Sequence, residues 1–310
     1  MINEYAIKLI ENMPDCVKNH DTQLVLDIIL DGGAFNGSYL LGALYFLKEM
    51  ERRGYVKVER LSGCSIGSLV GFLYLIDSLD SMTELYETVY KEIKRTHNFN
   101  ILKQLKALLG DKIPADVCEK VNNRLYITYN NVQNGTKPVK HEYSNVDDLM
   151  NTIIKSSFIP FVTDGQATYK DKYIDGINPF IFKQEKQEKK EEKKNKKTLF
   201  LNLSSLNKIG HIWNVKNEQT NYHRTLSGML DIHHFFIKQS NTEMCSYVED
   251  WNTPRHCIQG FKKIIEFAII KIVYIVLYFR RFQVEDQLLY KILKTIIRDV
   301  YVIILETYCI

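Results

Sequence analysis

The stretch Val58–Ile76 reads VERLSGCSIGSLVGFLYLI. It predicts a short strand, a sharp turn and a buried helix. The turn, Gly63-Cys64-Ser65-Ile66-Gly67, is a G-x-S-x-G pentapeptide. A serine on so tight a strand-to-helix turn sits in a strained backbone, and its neighbours must lack bulk. The helix that follows aims its N-terminal amides at the same point, which favours developing negative charge. Ser65 is therefore a candidate nucleophile, with the Ile66 N–H beside it. The pentapeptide alone also fits a plain turn between packed elements. Its context gives it weight: an apolar strand precedes it, and no charged residue falls between Ile66 and Ile76.

A second unit of the same kind lies upstream. Leu24–Leu30 (LVLDIIL) is a candidate buried strand, Asp31-Gly32-Gly33-Ala34-Phe35-Asn36-Gly37 is the turn, and an apolar helix runs from Ser38 to Met50. Such a turn offers backbone N–H groups to an anion. Parallel neighbouring strands bring both turns to one sheet edge. A serine at one turn and free amides at the other make a nucleophile and an oxyanion hole. The turn lacks G-x-G-x-x-G spacing, and no G-K-[ST] follows it, which weighs against a nucleotide site.

Together these motifs resemble the patatin-like phospholipase family. The resemblance rests on Gly32–Gly37, Gly63–Gly67 and Asp175-Gly176, in this order, with Lys155–Pro160 similar to the family's segment upstream of the Asp-Gly box. It covers about residues 22–205. The chain departs from the family at Ala34, where a third glycine is usual, at Asn36, where a basic residue is common, and at Ile177, where glycine or alanine is usual. The resemblance implies an α/β fold: a three-layer α/β/α sandwich with a mainly parallel central sheet. It implies a Ser65–Asp175 dyad without histidine, with Asp175 as general base. It also implies an oxyanion hole from Gly32, Gly33, Ala34 and Ile66, supported by Gly37, Gly63, Gly67 and Gly176. The activity implied is a serine esterase acting on phospholipid or other glycerolipid esters, with no cofactor and no metal. Alone, Asp175-Gly176 reads as an ordinary turn. A free aspartate is too acidic to take a serine proton easily at neutral pH, so burial must raise Asp175 and bring it within hydrogen-bond reach of Ser65.

The chain has 310 residues and a formal net charge of +4. That length buries a substantial core, and one large α/β domain with an appendage fits best. The expected division is a catalytic domain over 1–210 and a helical region over 211–310. The small charge excess does not indicate a nucleic-acid partner. Six scattered cysteines show neither C-x-x-C nor zinc-ligand spacing, which fits free thiols in a reducing compartment. The first residues, MINEYAIKLIENMPDC, carry no secretory pattern, so a cytoplasmic protein with peripheral membrane contact is expected. The partners expected are a lipid substrate at a membrane surface and, as a candidate, a protein activator.

Further along, RLYITYN (124–130) reads as a strand with a hairpin partner at 137–143, and Ser144 or Asn145 caps a helix to Ser157. Thr168–Ile174 reads as a strand ending at Asp175. The run KQEKQEKKEEKKNKK (183–197) is an exposed low-complexity insertion. Residues 222–250 read as helical. Phe261–Phe282 is strongly apolar with basic ends; its unbroken apolar run is too short for a membrane span, so a buried helix is expected, with an interfacial helix as the alternative. Residues 286–308 read as amphipathic, with Leu289, Leu293, Ile296, Val300 and Ile303 on one side. Three rivals stay open. One is an α/β-hydrolase triad using His211, His223, His233, His234 or His256. The second is a silent lipid-binding protein, and the third an effector that needs a cofactor from its host.

Overall fold

A computed structural model describes residues 2–18, 23–182, 196–205, 208, 210–212, 214–216, 218, 220–280 and 288–309. The strands are β1 (Leu24–Leu30), β2 (Val56–Gly63), β3 (Leu125–Thr128), β4 (Asn130–Asn131), β5 (Val139–Lys140), β6 (Tyr173–Ile174), β7 (Lys196–Leu201) and β8 (Cys245–Tyr247). The α-helices before β7 are α1 (Ile2–Glu11), α2 (Asp15–Lys18), α3 (Gly37–Arg52), α4 (Ile66–Leu75), α5 (Ser81–Thr96), α6 (Leu105–Leu109), α7 (Val117–Val121) and α8 (Val146–Ser156). Those after it are α9 (Tyr222–Lys238), α10 (Thr253–Arg280) and α11 (Leu288–Ile304).

Six strands form one sheet in the order β5-β3-β2-β1-β7-β8. The four inner strands are mutually parallel, and each edge strand runs antiparallel. The fold is thus α/β with a mainly parallel sheet flanked by helices. Alternation in β1 explains both faces. Leu26, Ile28 and Leu30 enter the main core with α3, α4 and α9. Ile29 points the other way, onto Phe182 and Phe200. Asp27 shares that second face, where Arg60 grips its carboxylate through Nε at 3.0 Å and Nη2 at 2.5 Å. Burying an acid in a core strand is tolerated because it is paired.

Leu30 lies opposite Gly63 in the β1–β2 register, so the two glycine turns leave the sheet side by side. The helix before the Asp-Gly box starts where its chemistry says: Asn145 Oδ1 accepts from Asp148 N at 2.9 Å. The strand expected over Thr168–Ile174 shortens to Tyr173–Ile174, which pairs with β4. Lysines and an aspartate dominate its first half, and a small ribbon needs only the end.

Three expectations need correction. The boundary at residue 210 falls inside the sheet domain. Helix α9 lies against α3 at glycine contacts: a Cβ on Gly42 would meet Thr225 O at 1.8 Å, and one on Gly228 would meet Tyr39 O at 2.0 Å. Within 222–250, which read as helical, Cys245–Tyr247 is a strand that extends the sheet beside β7. Three residues are too few to show a strand period. The helix expected to be buried, α10, is largely exposed: Phe261 is 62 % and Ile264 65 % accessible, while Glu266 and Val273 are buried. Pro254 sits in its first turn, where its missing N–H costs nothing. Ile296, Val300 and Ile303 of α11 are also exposed. The Lys/Glu-rich run at 183–195 lies outside the described residues; Lys196 and Lys197 open β7.

Candidate active site

Ser65 caps α4 with φ 50° and ψ −129°, a left-handed conformation that a side chain resists. Its surroundings enforce it. The Ser65 N–H donates to the Ser156 carbonyl at 3.1 Å and to Ser156 Oγ at 2.9 Å. Ser68 Oγ donates back to the Ser65 carbonyl at 2.6 Å. The glycines on either side allow the close approach. A Cβ on Gly63 would lie 2.6 Å from the Gly67 carbonyl carbon, and one on Gly67 would lie 2.6 Å from Leu30 O. Gly37 is pressed likewise against Ile66, whose Cγ1 would be 2.2 Å away.

Asp175 follows β6 and hydrogen-bonds Ser65 through its carboxylate. The segment after α8 ties the two together. The Ser156 carbonyl that takes Ser65 N–H also takes Gly176 N–H at 3.2 Å, and Asp175 N–H donates to Phe158 O at 2.8 Å. Thus Lys155–Pro160 bridges elbow and acid. Burial pushes the Asp175 carboxyl up to about 6 from an ordinary 3.8. The bonds from Ser65 and from Ile177 N–H, and the Lys137 charge, pull it down without winning, while the Glu266 carboxylate adds to the rise. Cys64, next to the serine, is no rival: burial holds its thiol well above the ordinary range.

The glycine turn lies against the elbow: a Cβ on Gly32 would meet Ser65 Cβ at 3.4 Å. Among the described residues no protein acceptor takes the N–H of Gly33, Ala34 or Ile66. The Gly32 N–H is already committed to Asp31 Oδ1 at 3.1 Å, so its expected place as a fourth oxyanion donor is not open. Two departures from the family pattern fall at strained positions: Ala34 has φ 42° and Ile177 φ 55°. Each pays for a conformation glycine takes freely. Ala34→Gly is therefore expected to stabilise the fold by about 0.5–1 kcal/mol, read from the urea midpoint. A loss of stability would show that the methyl's packing outweighs the strain. At the third departure, Arg224 reaches Asn36: its buried guanidinium donates to Asn36 Oδ1 at 2.8 Å. A distant helix thus brings a cation to that position.

Two apolar cavities meet at the serine. The first, about 400 Å³, is lined by Gly32, Gly33, Ala34, Ser65, Asp175 and Ile177 on its floor and by Ile269, Ile272 and Val273 of α10 above. The second, about 80 Å³, runs from Ser65 and Ile66 between α4, α5 and α6, past Leu69, Met82 and Phe99. None of the five downstream histidines lines either cavity. His233 packs against Phe46, His256 against Trp251, and His223 pairs with Glu218. Among the described residues no three His, Cys, Asp or Glu side chains converge as metal ligands. None of the described helices is long and apolar enough to cross a membrane.

Reading the sequence did not find Asn130, Lys137 and Glu266, which surround the Asp175 loop, or Lys262 on Asp31. One signal was present: a lone acid, Glu266, four residues after Lys262 in a strongly apolar segment.

A serine on a strained elbow and a buried carboxyl beside it thus lie where two strands of a parallel α/β sheet end. Residues 28–179 match the family described as Patatin-like phospholipase. It is similar to omega-hydroxyceramide transacylase of Mus musculus, 22% identical over 53% of this chain and 29% of that protein. It is 26% identical to patatin-like phospholipase domain-containing protein 2 of Mus musculus over 43% of this chain and 29% of the relative. It is 25% identical to 1-acylglycerol-3-phosphate O-acyltransferase Pnpla3 of Mus musculus over 47% of this chain and 37% of the relative. The chain thus covers about a third of the length of these relatives. The family connects it with lipid metabolism.

Proposed function

We propose that this chain is a lipid acyl hydrolase acting through a Ser65–Asp175 dyad. The observation that carries the reading is the Asp175 carboxylate, buried, raised to about 6 and hydrogen-bonded to Ser65 where two apolar cavities meet. Asp175 takes the Ser65 proton as Oγ attacks the ester carbonyl. The N–H groups of Gly33, Ala34 and Ile66 and the α4 dipole hold the oxyanion. Collapse breaks the ester bond, the leaving alkoxide takes the proton from Asp175, and the acyl group stays on Ser65. Water then gives its proton to Asp175 and attacks, releasing the fatty acid, and the proton returns to Ser65. No metal or cofactor enters the scheme.

A second reading replaces that water with a lipid hydroxyl, so that the acyl group is transferred. The names of two relatives and the apolar walls around Ser65 favour it. One assay separates the two: mixed phospholipid vesicles with a chelator, with and without a lysolipid acceptor, scored for free fatty acid and for acylated acceptor. Wild-type protein that stays inert in both arms, with Ser65 intact, sinks both readings in favour of a silent lipid-binding protein or one that needs an activator.

The substrate reaches the site from a lipid surface. Helix α10 lines the first cavity and leaves Phe261, Ile264, Phe267 and Ile275 exposed, with Lys263 and Lys271 on the same helix. A pair of glutamates at Ile264 and Phe267 is expected to weaken vesicle binding by about tenfold or more. Hydrolysis of a soluble short-chain ester should stay near the wild-type rate. Unchanged sedimentation with vesicles would count against this docking face.

A further inference from the structure

We propose that Glu266 and Lys262 of α10 are positioning residues, one for the Asp175 loop and one for the oxyanion turn, so that a helix outside the matched segment completes the site. The Glu266 carboxylate is buried on a helix whose neighbouring apolar side chains Ile264, Ile265 and Phe267 are exposed. Burying an acid is costly unless its oxygens are satisfied. Here they are. Oε1 accepts from Asn130 Nδ2 at 3.0 Å and from Lys137 Nζ at 2.5 Å, and Oε2 accepts from Asn178 Nδ2 at 2.8 Å. The same Asn130 Nδ2 donates to the Asp175 carbonyl at 2.8 Å. Glu266 thus holds both ends of the loop that presents the base.

Lys262 lies one turn earlier on the same face. Its Nζ donates to Asp31 Oδ2 at 2.9 Å and to Asn202 Oδ1 at 3.2 Å. The other Asp31 oxygen takes the Gly32 N–H at 3.1 Å, and Oδ2 also takes Ser204 Oγ at 2.8 Å. The lysine therefore sits on the carboxylate that orders the oxyanion turn. Packing alone does not ask for this pair, because Val273 with Ile269 and Ile270 already joins α10 to Val132 and Ile174. The charges that face Asp175 are Lys137 and Glu266, with Asp31 and Lys262 acting on the adjoining Cys64.

The proposal rests on the Ser65–Asp175 reading, and its test has an arm that does not need turnover. In the full chain, Glu266→Gln keeps one acceptor and Glu266→Ala keeps none. We expect kcat for acyl release to fall about tenfold in Gln and further in Ala, with KM within about twofold, since Glu266 does not line the cavity. The midpoint of the Asp175 carboxyl, followed by 13C NMR and assigned with Asp175→Asn, should drop by about half a pH unit in Glu266→Gln as a negative neighbour is removed. Wild-type kcat and an unmoved midpoint in a folded Glu266→Gln protein overturn the proposal. If wild type shows no Ser65-dependent turnover, the functional reading falls and the midpoint alone decides the positioning claim. If Glu266→Gln does not fold, Lys262→Met reads the other clasp; there a tenfold loss of kcat is expected, and wild-type kcat overturns it.

Discussion

Ser65→Ala is expected to lower acyl release from vesicles by about ten-thousandfold, and Asp175→Asn by about a thousandfold, with both proteins folded. Alanine leaves no atom to form the acyl ester. Asparagine is the more informative change. Its side-chain oxygen still accepts from Ile177 N–H, which reaches Asp175 Oδ1 at 2.6 Å, so the loop keeps its shape. It cannot take a proton. Since the carboxyl titrates near 6, wild-type kcat/KM should rise with pH through that value and level off above it, once the base is ionised. The measurement is fatty-acid release across pH 4.5–8.5 with a chelator present. An Asp175→Asn protein within tenfold of wild type would place the base elsewhere and reopen the histidine triad. An acid limb near 4 would mean that the carboxyl is solvated in the working enzyme.

Asp175→Asn is also expected to be more stable than wild type at neutral pH. In the folded chain the carboxyl keeps its proton up to about 6, and in the unfolded chain only up to 3.8. Below 3.8 both states hold the proton and burial carries no charge penalty. Between the two values the folded state binds more proton, so stability falls as pH rises. Above about 6 the cost is complete, on the order of 3 kcal/mol. Asparagine escapes it. Thermal unfolding should show the variant ahead by about 5 °C at pH 7.5, with the gap closing towards pH 4. Equal melting temperatures at both pH values would mean that the native carboxyl is not desolvated. The site would then trade no stability for a competent base.

The two expectations have the same root. Desolvation raises Asp175 into the range where it can take a serine proton, and desolvation is what destabilises the fold when that proton leaves. The serine's left-handed backbone and the strained Ala34 and Ile177 add to the same local cost.

Much of this architecture could be read along the chain. The apolar run of β1, the glycine turn and α3 came out of local pattern, as did β2, the elbow and α4, because strand period, turn chemistry and helix burial act between near neighbours in sequence. A cap at Ser144 or Asn145 and the β3–β5 hairpin were legible for the same reason. Asp175 was legible only as one of several Asp-Gly turns until family resemblance singled it out. What sets it apart is a carbonyl, Ser156 O, shared by Ser65 N–H and Gly176 N–H.

The remainder was decided by tertiary structure. Three-residue β8 joins the sheet because β7 offers an open edge, not because its own sequence demands a strand. The commitment of Gly32 N–H to Asp31 depends on a carboxylate oriented by Ser204 and Lys262, whose positions no local rule relates to the turn. The apolar segment at 261–282 read as buried, since hydropathy counts residues and not neighbours; among its described residues the fold covers one narrow stripe. By itself, then, the sequence determined β1, β2 and β3, the elbow and the serine. Tertiary structure alone decided how deeply that carboxyl is buried, which amides stay open and which distant helix closes over the site, because those are contacts between segments whose separation in sequence carries no periodic signal.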